Sequence, residues 1–158
     1  MFKGQLITTD LIFALILTLA TIVVINAQWG IMLDNFENYE LRISAEKAAY
    51  SSMLSLISGK GYPADWNSTN VVVVGVGRDR KNIIDGWKFV QLMNIENNTL
   101  GEKIGIPEYN VHINLTTGAG ATINSTGLVP TEPIVSARVM SFVSFNGELS
   151  KIYFTVWK

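Results

Sequence analysis

A chain of 158 residues with 12 basic and 13 acidic side chains carries a formal net charge of −1, and its length suits one globular domain with an appendage. So even a balance leaves no electrostatic footprint for nucleic acid, and no nucleic-acid partner is expected. The absence of cysteine excludes disulfides, thiolate metal sites and cysteine nucleophiles together.

The chain opens on a short basic tip, Met1-Phe2-Lys3-Gly4, followed by Gln5 through Asp10. From Leu11 to Leu33 there is no charge and no proline, and Gly30 is the only glycine. About 20 apolar residues at roughly 1.5 Å rise each cross the hydrocarbon core of a bilayer. This stretch, with Leu11, Phe13, Leu17, Val24 and Leu33 among its large side chains, is therefore long enough to span one. Lys3 and the initiator amine precede it, whereas Asp34, Glu37 and Glu40 come after. Positive charge stays cytoplasmic, so the N-terminus is expected inside and everything after Leu33 outside.

After Leu33 the chain turns amphipathic without a breaker. Apolar side chains at Met32, Phe36, Tyr39, Ile43, Tyr50, Met53 or Leu54, and Ile57 recur at helical spacing, with Glu37, Arg42, Glu46 and Lys47 between them. Ser58-Gly59-Lys60-Gly61-Tyr62-Pro63 ends the pattern, because glycine accepts the left-handed cap and proline cannot continue a helix. The reading is one helix of about 50 residues, roughly 75 Å long, with Gly30 as the place for a bend. Its inner half is apolar all round, and its outer half carries a stripe that must pack on the C-terminal part of the chain.

Beyond Pro63 the chain reads as β-rich. Val71 to Val76 suits a strand buried on both faces. Asp85 is placed to cap a short helix over 86–95, and Thr99-Leu100-Gly101-Glu102 has capping-box spacing for another turn. Tyr109 to Leu115 alternates Val111, Ile113 and Leu115, a half-buried strand, and Thr117-Gly118-Ala119-Gly120 reads as a loop. Ile134 to Phe145 and Leu149 to Trp157 flank Asn146-Gly147, the strongest short-range hairpin signal, since both turn residues tolerate positive φ. In the second strand Leu149, Tyr153 and Trp157 oppose Ile152, Phe154 and Val156, which predicts cover on both faces.

Chemistry is sparse. His112, the only histidine, falls opposite Val111, Ile113 and Leu115 and is expected exposed, with no second histidine or cysteine to complete a metal site. Gly75-Val76-Gly77 lacks the third glycine and the adjoining helix of a dinucleotide fingerprint, so a strand ending in a turn is the reading. Arg78, Arg80 and Lys81 form the one basic cluster, read as a solvated loop partly neutralised by Asp79, or as a contact for acidic glycans, a surface or a neighbouring subunit's Glu37 and Glu40. Trp66, Trp87 and Trp157 are read as core aromatics, or else as one binding surface. Asn67, Asn97, Asn114 and Asn124 are N-glycosylation sequons, all on the outer side of the expected span. No catalytic motif is present, and no enzyme activity, cofactor or metal is expected.

The most cleavable-looking junction, Lys3-Gly4/Gln5, lies before the apolar segment, whereas an ordinary secretory signal is cut after it. With Lys-Gly-Gln ahead of an apolar helix, this layout resembles the class III signal peptide of type IV pilins in its archaeal form. The resemblance implies cleavage by a prepilin peptidase between Gly4 and Gln5. The bacterial pattern has phenylalanine first and glutamate fifth in the mature chain; here the only early acid is Asp10, sixth after the cut. Gly61-Tyr62-Pro63-Ala64-Asp65-Trp66 resembles, with one extra residue, the Gly-x-Pro-x-Trp motif that many archaeal pilin-like membrane proteins carry after the long helix. Their C-terminal strands also close near Val-Trp, as Val156-Trp157 does.

The fold so implied is α+β and type IV pilin-like: a leader over 1–4, a long helix over 5–58, and an extracytoplasmic β-rich domain over 59–158. Its helix has a membrane-spanning inner half and an amphipathic outer half packed on a C-terminal antiparallel sheet. The function implied is that of a structural subunit or minor (pseudo)pilin of an archaeal type IV pilus-like filament. Its partners would be other pilin subunits or copies of itself, the prepilin peptidase and assembly machinery, and membrane lipid before assembly. Two other readings stand beside it: a membrane-anchored extracytoplasmic binding or adhesion domain that does not polymerise, and a secreted protein cut after Ala27.

Overall fold

The computed structural model describes residues 3–78 and 82–158, with side chains from residue 10 onward. The fold is α+β, and the chain divides into two units, Met1–Glu40 and Leu41–Lys158. One helix, α1 (Lys3–Ser58), enters both units, and Gly30 does not interrupt it.

The first unit consists of that helix. From Asp10 to Glu40 every side chain is exposed, because no other element of the unit exists to cover it.

In the second unit the outer end of α1 buries Ala45, Ala49, Ser52, Met53, Leu56 and Ile57 in the core. Spacings of three and four keep these on one face. This corrects the expected stripe. Only Met53 and Ile57 of that set are buried, whereas Met32, Phe36, Tyr39, Ile43, Tyr50 and Leu54 are exposed. The packed face is the one with the smaller side chains, since alanine lets a helix approach its neighbours closely. The larger apolar side chains lie about a third of a turn away round the helix.

The sheet has the order β1-β4-β5-β2-β3, formed by β1 (Ile83–Ile84), β2 (Asn110–Thr117), β3 (Thr122–Gly127), β4 (Ser136–Phe145) and β5 (Glu148–Trp157). All pairs are antiparallel except β1 with β4. The hairpin β4–β5 turns at Asn146 (φ 52°) and Gly147 (φ 87°), as the Asn-Gly pair requires. Val111, Ile113 and Leu115 of β2, Ile152, Phe154 and Val156 of β5, and Val143 of β4 point inward and are buried. Cover on both faces of β5 does not hold: Leu149 is exposed, and Tyr153 and Trp157 are partly so.

Asp85 caps α2 (Gly86–Met93), its Oδ1 accepting from the N–H groups of Trp87 and Lys88. Helix α3 (Leu100–Ile104) forms where expected but without the capping box, because the Thr99 hydroxyl donates to Glu96 O instead. Residues 71–76 form no regular strand. Their N–H groups donate elsewhere: Val72 and Val73 to Tyr62 O, Val74 to Lys103 O, and Val76 to Leu56 O at the end of α1. The last bond satisfies one of the carbonyls that a helix end leaves without an intrahelical donor.

Candidate functional site

Among the described residues no catalytic cluster stands out, and three surfaces organise the chemistry. The first is the apolar helix. Among the described residues, α1 is the one helix long and apolar enough to cross a membrane. Leu11, Phe13, Leu17, Val24 and Leu33 all lie on it with most of their surface exposed. Thr18 and Thr21, its hydroxyl-bearing residues in this stretch, donate to Ala14 O and Leu17 O at 2.8 Å. Their polar groups are thus satisfied within the helix, as an apolar solvent demands. The expected cut between Gly4 and Gln5 lies where side chains fall outside the described residues.

The second feature is a knot directly after α1. Trp66 is fully buried, and its Nε1 donates to Lys60 O and Gly75 O at 3.0 Å each. Lys88 reaches the same place from α2, its ammonium donating to Lys60 O and, at 2.8 Å, to Ala64 O. Its Nζ also stands 5.9 Å from the centre of the Trp66 ring. Burial holds the Lys88 ammonium below its ordinary pKa and Lys60 acts the same way, against the opposing pull of Asp85 and Asp65. Gly61 has φ +77°, and a Cβ there would lie 2.4 Å from Trp66 Nε1. Gly75 and Gly77 likewise abut the backbone of Gly59 and Ile57. The glycines that invite a nucleotide-binding reading therefore serve close backbone packing. The resemblance motif Gly61 to Trp66 is a structural lock on the end of the long helix.

The third surface is the outward face of the sheet, which carries no covering layer among the described residues. Register sets Met140, Tyr153, Asn114 and Ser125 side by side across four strands, with Arg138, Thr155, His112 and Gly127 in the next row. Arg138 lies 4.3 Å from the Tyr153 ring centre, and Lys151 lies 6.0 Å from that of Phe142. His112 is half-buried rather than fully exposed, and burial, followed by the Arg138 charge, holds its pKa below the ordinary value. The carboxamide Oδ1 of Asn114 is shielded from solvent without a hydrogen-bond partner.

The tryptophans do not share a surface role: Trp66 is core, Trp87 is exposed on α2, and Trp157 donates to Leu128 O at 3.1 Å. Arg78 pairs with Asp85 at 3.4 Å, while Arg80 and Lys81 lie outside the described residues. The sequons differ in setting. Asn97 is exposed in a turn and accepts from Gly127 N, and Asn67 caps its own turn by accepting from Thr69 and Asn70. Asn124 lies on edge strand β3, and Asn114 lies in β2, paired on both sides. Among the described residues no cluster of acidic and histidine side chains could hold a metal. Comparison with protein-family models, curated proteins and solved structures gave no match for this chain.

Proposed function

We propose that the chain is a structural or minor subunit of a type IV pilus-like surface filament of the archaeal kind, assembled through its N-terminal helix. One observation carries this reading: the uncharged helix from Leu11 to Leu33 continues as helix to Ser58, where its far end is packed into a folded domain. A plain anchor has no need of that continuity.

Before assembly the apolar segment rests in lipid, N-terminus inward. On extraction its side chains cannot face water, since each large apolar residue left exposed costs about 1.5–3 kcal/mol. They become buried against the same segment of other subunits. Such contacts are heterologous and do not close, which yields helical filaments rather than rings. The β-rich domain then coats the filament outside the cell.

A second reading, an anchored extracytoplasmic binding domain that does not polymerise, draws on the open sheet face and its unpartnered Asn114 carbonyl. The N-terminal mass of the native protein separates the cases. A start at Gln5 supports the filament subunit, Met1 the anchor, and Gln28 ordinary secretion. Replacement of Gly4 by leucine should block processing and filament incorporation while leaving membrane insertion intact; unchanged incorporation refutes the proposal.

A further inference from the structure

We infer that the outward face of the sheet is a docking surface for the stem of a second copy, the segment of α1 from Met32 to Ile43. The two surfaces match in both charge and apolar content. Outward positions of β2, β4 and β5 carry Arg138 and Lys151 and no carboxylate. Neither cation makes an ion pair among the described residues; each leans on an aromatic ring of its own face. Beside them Met140 and Phe142 are exposed.

The stem presents the complement. Phe36, Tyr39 and Ile43 form an exposed apolar row at spacings of three and four. Of the stem acids, Glu40 borders this row, Glu37 lies further round the helix and Asp34 is nearly opposite it; none has an ion-pair partner among the described residues. The other stem charges are already used, since Arg42 bonds Glu46 at 3.1 Å. Arg78, the described cation of the loop after Gly77, is likewise held by Asp85.

Docking sets Arg138 and Lys151 against the Glu37–Glu40 flank and covers Phe36, Tyr39 and Ile43 with Met140, Phe142 and Tyr153. Charge pairing of this kind fixes register and excludes wrong partners. The contact rests on the filament reading for its supply of neighbouring copies, and it assigns the stem a partner that the apolar core of a filament does not provide.

The chain has no cysteine, so introduced thiols report one contact each. Full-length protein carrying Glu40→Cys with Arg138→Cys, oxidised mildly in membranes and in filament preparations, should give a ladder of cross-linked multimers. Glu40→Cys with Glu102→Cys, off the sheet, should give none. In a chain with a second sheet–stem cysteine pair, Phe36→Cys and Met140→Cys, adding Arg138→Glu and Lys151→Glu should lower the ladder about tenfold. Further Glu37→Lys and Glu40→Lys changes should restore it. Filaments visible by electron microscopy without a sheet–stem ladder, or a ladder indifferent to charge reversal, overturn the docking and leave the filament reading standing. A charge-dependent ladder without filaments supports the docking and removes the filament. A ladder that requires added anionic lipid assigns the face to a lipid surface and overturns the inference.

Discussion

Gly61 and Trp66 occupy the same few ångströms, for a Cβ on Gly61 would lie 2.4 Å from the indole Nε1 and 2.7 Å from Val73 O. Backbone at φ +77° adds a second cost for any L side chain. Gly61→Ala should therefore destabilise the second unit by about 2–4 kcal/mol, from left-handed strain and overpacking together. Gly105 offers the control: its φ is +90°, but nothing lies within 4 Å of its Cβ position. Gly105→Ala should cost only about 1–2 kcal/mol. Urea titration of the detergent-solubilised chain, monitored by near-ultraviolet circular dichroism, measures both. Equal losses would show that the Trp66 contact contributes nothing.

The choice of which helix stripe is packed makes a second test. Ala49 is fully buried, whereas its neighbour Tyr50 is largely exposed. Ala49→Leu forces methylenes into a filled core and should cost about 1–3 kcal/mol. Tyr50→Ala should change the stability of the isolated subunit by less than about 0.5 kcal/mol. A larger loss from Tyr50→Ala than from Ala49→Leu would restore the aromatic stripe as the packed face. The same titration reads the difference.

That stripe also marks where residue patterns stop being informative. Charge-free length alone exposes the membrane-grade helix, and Asn146-Gly147 between alternating runs exposes the β4–β5 hairpin, because both signals are local. The helix face that packs is not local information. Hydrophobicity ranks Phe36, Tyr39 and Tyr50 above Ala45 and Ala49, yet the buried face is the one that carries the alanines. Strand β3 escapes the pattern for a related reason: of Thr122 to Gly127 only Ile123 is a large apolar residue, and the strand exists through pairing with β2. Val71 to Val76 shows the converse. Its β-branched run has strand propensity, yet its donors are claimed by Leu56 O, Tyr62 O and Lys103 O. Among the surfaces, the long apolar helix is legible in the residues alone, while the row of Arg138, Tyr153 and Asn114 needs the register.

The same register gives a pH dependence. Burial and the nearby Arg138 charge disfavour the His112 cation in the folded state, so its pKa falls below the ordinary histidine value. The unfolded chain then binds more protons in the window between the lowered value and about 6.5. Stability from this group is complete above about pH 6.5 and declines as pH drops through that window. His112→Gln should flatten this part of the stability profile, and Arg138→Gln should reduce its slope. Urea midpoints at a series of pH values between neutral and mildly acidic measure the change. An unaltered slope in His112→Gln would assign the acid sensitivity to other groups.

Sequon use depends on backbone setting once the domain lies on the extracytoplasmic side. An acceptor asparagine must present its amide to an enzyme, which an exposed turn allows and a doubly paired strand does not. Asn97 is exposed, and Asn67 has its Oδ1 engaged within its own turn, its amide nitrogen having no acceptor among the described residues. Asn114 sits in β2 between β5 and β3, half-buried on the outward face with its Oδ1 shielded from solvent, so its neighbours across the strands hinder an enzyme's approach. Glycopeptide mass analysis after expression with an N-glycosylation system should find sugar at Asn97 and Asn67 and none at Asn114. Asn124, on the edge strand, should show partial occupancy at most, because its side chain is half-buried on the inward face. Full occupancy at Asn114 would mean that modification precedes sheet formation.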